Sequence, residues 1–136
     1  MIVEAKMTYR FSKQREAVMA VLDKKNYHPT VDEIYDMVKK QYAQVSLATI
    51  YRNVEQLSQM GKIWKIEIPE GPARYDGNME KHYHIRCTKC GNVNDVWFKG
   101  NMNKIINLKN IEKKFSITGY RIEFEGICDS CNNKTH

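Results

Sequence analysis

Ser46-Leu-Ala-Thr-Ile-Tyr-Arg-Asn-Val-Glu-Gln-Leu-Ser-Gln-Met-Gly61 is the stretch on which the fold turns. A serine opens it, Leu47, Ile50, Val54 and Leu57 recur at helical spacing, and a glycine stands where a C-terminal cap belongs. That pattern predicts a helix with Thr49, Arg52, Gln56 and Gln59 turned away from the core and Tyr51 at its edge. Arginine, glutamine and threonine suit base edges or phosphates, and a tyrosine can pack on a thymine methyl. A solvated polar face would look the same, and periodicity does not separate the two.

Working outward, two more helices precede it. Ser12 can cap a run that turns Ala17, Val18, Val21 and Leu22 inward. Asn26-Tyr-His-Pro-Thr30 then interrupts the pattern. Thr30 and Glu33 form a capping-box pair, and Val31, Ile34, Tyr35, Val38 and Tyr42 continue the helical period. After Gly61, Ile63–Ile68 and Arg74–Tyr75 flank the turn Pro69-Glu-Gly-Pro72 and read as a hairpin. Three helices and a hairpin predict a winged helix.

The second half changes period. Tyr83–Arg86, Val93–Phe98 and Arg121–Ile127 read as strands, and 102–115 as a helix with Ile105, Ile106, Leu108 and Ile111 apolar. The fold expected is α+β, with a winged-helix domain over residues 1–77 and a small α/β domain over 78–136.

All four cysteines fall in two CxxC pairs, Cys87/Cys90 and Cys128/Cys131. Two intervening residues let both sulfurs of a tight turn face one point, and two such turns complete a tetrahedral four-sulfur zinc site. Two disulfides or a redox pair are the alternatives. An N-terminus that reaches an acid after three residues does not read as a signal peptide. The cytoplasm is therefore the expected compartment, and disulfides are disfavoured there. The 37 residues between the pairs exceed a usual zinc-ribbon gap, so strands and a helix are expected inside it. Structural zinc can contribute on the order of 10 kcal/mol to folding, which matters most to a small lobe.

His82 and His84 alternate along Lys81-His-Tyr-His-Ile85 and so share one face of an extended segment. Asp76 lies six residues before His82, and Asp95 occurs in the next strand. Nitrogen with carboxylate suits iron, manganese or zinc. Surface histidines with acids nearby by chance are the plainer account. His28, taken alone, is an ordinary loop histidine.

Composition narrows the class without choosing a function. Apolar residues make up 42% of the 136, charged residues 28%, and the formal charge is +6. No apolar run nears the roughly 20 residues of a membrane span, so no membrane partner is expected. Residues 1–76 hold 12 basic and 10 acidic side chains, so most of the positive excess lies beyond the helices. Four thiolates on one zinc would remove two further units. Charge alone does not identify a nucleic-acid partner.

Together these motifs resemble the ferric uptake regulator family. Arg10-Phe-Ser-Lys-Gln-Arg15 followed by Val18 is similar to its R-x-T-x-Q-R pattern, with Ser12 for the usual threonine and Lys13 for a common proline. His28-Pro-Thr30 with Glu33-Ile-Tyr35, Ser46–Asn53, His82-Tyr-His84, Cys87/Cys90-Gly91 and Cys128/Cys131 follow in order. The resemblance implies a DNA-binding winged helix, an α/β dimerisation domain, and zinc on the four cysteines. It also implies a regulatory Fe2+ or Mn2+ between the domains on His28, Asp76, His82, His84 and Asp95. A homodimer would then offer two helices to a roughly palindromic double-stranded DNA operator. Tyr51 and Arg52 are expected to read bases, and Lys13 and Arg15 to hold the phosphate backbone. Aspartate at both regulatory carboxylate positions, and no histidine from Tyr120 to Glu125, look like the peroxide-sensing branch. Its members repress until iron-driven oxidation of a regulatory histidine. Iron-, manganese- or zinc-responsive uptake repressors of the family are the nearest alternative. A metallohydrolase and a zinc-stabilised protein-interaction module are remote ones, since no nucleophile or base motif accompanies the histidines.

Overall fold

The computed structural model describes residues 13–100, 114–116 and 118–133. Ser12 and nearly all of the helix expected over 102–115 lie outside them. The chain divides into two compact units, Met1–Glu80 and Lys81–His136.

In the first unit, residues 13–22 form helix α1, followed by α2 over Val31–Gln41 and α3 over Leu47–Gln59. Each boundary has a local cause. The Thr30 hydroxyl accepts from the Glu33 amide at 3.2 Å, and the Glu33 carboxylate accepts from the Thr30 amide at 3.3 Å. Such a cap contributes about 1 kcal/mol. Asp32 and Glu33 in the first turn of α2, and Lys39 and Lys40 in its last, oppose the ends of the helix dipole. Ser46 caps α3 through the Thr49 amide at 3.2 Å. At its other end Gly61 adopts φ +71°, so the Gly61 amide reaches the Ser58 carbonyl and the Lys62 amide the Leu57 carbonyl. That pair of bonds is a Schellman motif, which a residue with a Cβ would strain.

Ala17, Val18, Leu22, Val31, Ile34, Val38, Ile50, Val54 and Leu57 make the helical core. Leu47 is a correction to the expected stripe: at the first position of α3 it is 39% exposed, and Ile50 is the first residue of the stripe to reach the core. Asn53 takes a fully buried place instead.

Strands β1 (Trp64–Ile66) and β2 (Arg74–Asp76) pair antiparallel as the wing, with Lys65 opposite Tyr75. A further bridge joins Thr30 to Arg74, so the segment before α2 acts as a third strand.

The second unit is a three-stranded sheet in the order β4-β3-β5. β3 is Tyr83–Cys87, β4 is Val93–Val96 and β5 is Glu123–Gly126. β4 stops two residues short of the expected Phe98. β3 runs antiparallel to β4 and parallel to β5. A short helix, α4, follows at Asp129–Asn133. Among the described residues no helix is long and apolar enough to cross a membrane.

Gly77 shows how tightly the wing returns to α1. A Cβ there would stand 2.7 Å from the Leu22 carbonyl oxygen and 2.9 Å from Leu22 Cβ. We expect Gly77→Ala to lower unfolding free energy by about 1–3 kcal/mol, measured by urea denaturation; an unchanged midpoint would refute the close contact.

Candidate metal centres

In the first unit the backbone places the donors. The Tyr75 amide donates to the Pro29 carbonyl at 2.9 Å, and the Arg74 guanidinium donates to the His28 carbonyl at 2.8 Å. His28 is thereby laid beside β2, where its Nε2 lies 3.2 Å from Asp76 Oδ2, both side chains buried. The other Asp76 oxygen accepts from the Asn78 amide at 2.8 Å, which fixes the carboxylate plane.

In the second unit β-sheet register does the same work. His84 pairs directly with Asp95, and His82 precedes β3 on the same face. His82 Nε2 and His84 Nε2 are 3.1 Å apart, and each faces Asp95 Oδ1, at 3.2 and 3.4 Å. Two donors about 2.1 Å from one ion stand about 3.0–3.4 Å apart for right-angled to tetrahedral coordination. The three atoms therefore fit a shared cation.

The four sulfurs converge as well, all within 4.8 Å of one another. Cys87 and Cys90 flank a turn closed by the Gly91 amide on the Cys87 carbonyl, with Gly91 at φ +78°. Cys87 pairs with Gly126 across the parallel ladder, which brings Cys128 alongside, and α4 carries Cys131. Cys90 Sγ and Cys128 Sγ are 3.7 Å apart. Sulfurs about 2.3 Å from one zinc stand about 3.8 Å apart in a tetrahedron. Amide donation from Cys128, then from Cys90, pulls the Cys87 thiol down to about 5. The Cys128 sulfur beside it, and then burial, push Cys131 up to about 12. Neighbouring thiols cannot all ionise without a cation, and this donor set fits zinc.

The exposed face of α3 holds Tyr51, Arg52 and Gln56. Arg52 donates to the Thr49 hydroxyl at 3.3 Å, which also meets Ser46 at 2.8 Å. Gln56 accepts from the Arg15 guanidinium at 2.6 Å, while Lys13 is exposed on α1. Sequence reasoning missed Glu55. Its carboxylate accepts from Lys65 at 3.0 Å and from the Tyr75 hydroxyl at 3.4 Å, so it ties α3 to both wing strands. Only its register one residue after Val54 could have hinted at a partner.

A three-helix unit with a wing, followed by a donor-rich sheet, defines a regulator of the metal-binding winged-helix class. The sequence profile described as the ferric uptake regulator family matches residues 6–125. The peroxide-responsive repressor PerR of Staphylococcus aureus is 33% identical over 92% of this chain and 84% of its own. The Campylobacter jejuni peroxide stress regulator superposes with TM-score 0.78 at 30% identity, covering 95% of this chain and 96% of that one. A zinc-bound manganese uptake regulator does so with TM-score 0.60 at 27% identity, covering 85% and 87%. This chain belongs to the ferric uptake regulator family and is a metal-responsive transcriptional regulator.

Burial, then the Glu55 charge and its hydrogen bond, push the Tyr75 hydroxyl up to about 12 from 10.0. A raised folded value favours the neutral phenol, so this contribution is whole below pH 10 and is lost as pH rises through 12. The stability advantage of the native protein over Tyr75→Phe should therefore shrink across that window, followed by urea denaturation. An advantage that stays constant with pH would refute the Tyr75–Glu55 contact.

Proposed function

We propose that this protein is a metal-dependent repressor that binds operator DNA as a homodimer and releases it on exposure to peroxide. The observation carrying this reading is the convergence of His82, His84 and Asp95 at 3.1–3.4 Å, with a second buried histidine–aspartate pair at His28 and Asp76. As the family resemblance implies, these five side chains would hold a regulatory Fe2+ or Mn2+, and Cys87, Cys90, Cys128 and Cys131 a structural Zn2+. An ion whose ligands come from both units makes their arrangement depend on metal, and so couples metal to DNA affinity. The two aspartates, and likeness to proteins named for peroxide response, support the peroxide reading. A manganese uptake regulator among the similar structures favours metal-uptake repression as the second reading.

Bound ferrous iron would start peroxide cleavage beside its ligands by giving an electron that it regains as the ligand is oxidised, which manganese does poorly. The imidazole of His28 or His82 then exchanges a C–H bond for C–O, and the second peroxide oxygen departs as water. An oxygenated imidazole is a weak ligand, so metal and DNA affinity fall together. Dimerisation has a surface to use: Phe98, Phe115, Phe124 and Ile127 of the second unit are all exposed, apolar side chains of the kind interfaces cover.

Gel shifts with iron- and manganese-loaded protein, before and after brief peroxide, test the reading. Both forms should bind DNA at first, and only the iron form should release it. Equal responses would leave metal-uptake repression in its place. His84→Ala should remain a folded dimer that binds DNA poorly, whereas Cys90→Ser should unfold or monomerise; normal repression by His84→Ala would remove the regulatory role.

On DNA, Tyr51 and Arg52 read bases, Thr49 and Gln56 line the same helix face, and Lys13 and Arg15 contact phosphates. Arg52→Ala should cost about 1–3 kcal/mol on the operator and relax discrimination. Arg15→Ala should weaken all sequences alike and flatten the salt dependence. Equal loss on operator and random DNA for Arg52→Ala would argue against base reading.

A further inference from the structure

Trp97 covers one face of His82. The ring centroids are 4.8 Å apart and the planes 23° from parallel, a stacked contact. Asp95 and Trp97 stand two residues apart, so one chain segment delivers both the carboxylate and the indole to His82. Exposure differs sharply across the stack: His82 is 1% exposed and Trp97 is 53% exposed. The indole thus reaches from a buried donor to solvent. It is also the most readily oxidised aromatic side chain, and imidazole is far harder to oxidise.

We propose that Trp97 is an oxidative modification site, which takes up oxygen when a hydroperoxide is reduced beside His82. This rests on the peroxide-sensing reading, because the oxidant must arise at His82. In the net step the peroxide O–O bond and one indole C–H bond break and one C–O bond forms. Two electrons pass from the indole to the peroxide. One oxygen stays on the ring with the displaced hydrogen, and the other leaves as water. Oxidant spent on Trp97 is not spent on His82, so the indole raises the peroxide dose needed to destroy the ligand.

The test uses the full chain loaded with ferrous iron, loaded with manganese, or metal-free, each given brief hydrogen peroxide and digested for peptide mass spectrometry. The chain has two tryptophans, and Trp64, on β1, is the internal control. One added oxygen on Trp97 in the iron form alone, with Trp64 unchanged, is the expected result. In Trp97→Phe the oxygen should move to His82, and DNA should be released at a lower peroxide dose. Oxygenated histidines beside unmodified Trp97 would overturn the inference and leave peroxide sensing intact. Equal oxidation of Trp97 in all three forms would overturn it too, marking a reaction set by exposure alone. No oxygen on any residue of the iron form would overturn both. The comparison of metal forms needs only the native chain, so it holds even if the phenylalanine variant misfolds.

Discussion

Strand register is the constraint on which the donor sets depend. Side chains in a strand alternate faces, so a slip of one residue would carry every donor to the wrong side. In the first unit the bridge between Thr30 and Arg74 lays His28 beside Asp76 and also sets Thr30 to cap α2. In the second, His84 opposite Asp95 and Cys87 opposite Gly126 assemble one donor set at each end of β3. One five-residue strand therefore serves both the nitrogen–oxygen donors and the sulfurs. The cysteines fasten the far end of a ladder whose register the histidines also need.

Both donor sets pose the same electrostatic problem, and their chemistry answers it differently. Four sulfurs in contact hold ionised and protonated members side by side, with Cys87 drawn down to about 5 and Cys131 raised to about 12. A divalent cation removes that conflict and ties the turn at Cys87–Cys90 to α4. Two imidazoles with one carboxylate carry less negative charge than four thiolates and so meet less repulsion. Thiolates suit a permanent staple, and the mixed donors suit a reversible one.

Much of this was legible in the sequence because it depends on spacing. The capping box at Thr30 and Glu33, the glycine after α3, the paired CxxC turns and the alternation of His82 with His84 are local signals. What escaped depends on partners distant in the chain. Leu47 looks apolar and periodic, yet at the first position of α3 it stays 39% exposed. Asn53 is polar, yet it is fully buried, with no hydrogen-bond partner on its amide among the described residues. The parallel pairing of β5 with β3 is a topological fact that alternation along Arg121–Ile127 cannot express. Trp97 reads as a strand hydrophobe until Asp95 is seen to bring it over His82.

Helix α3 draws these threads together. On one flank Arg15 of α1 holds Gln56; on the other Lys65 and Tyr75 of the wing hold Glu55. Tyr75 is adjacent to Asp76, so the residue that fastens the wing to α3 neighbours a proposed metal donor. A shift in β2 large enough to move Asp76 must also move Tyr75, whose hydroxyl is buried against α3 and cannot lose Glu55 without leaving a polar group unsatisfied. Displacement at the donor end of β2 is thus carried into the helix rather than absorbed by a loop. Tyr51 and Arg52 project from the stretch of α3 between its Ser46 cap and these two ties. Their placement is then only as good as the packing behind them, which is the condition a base-reading helix requires.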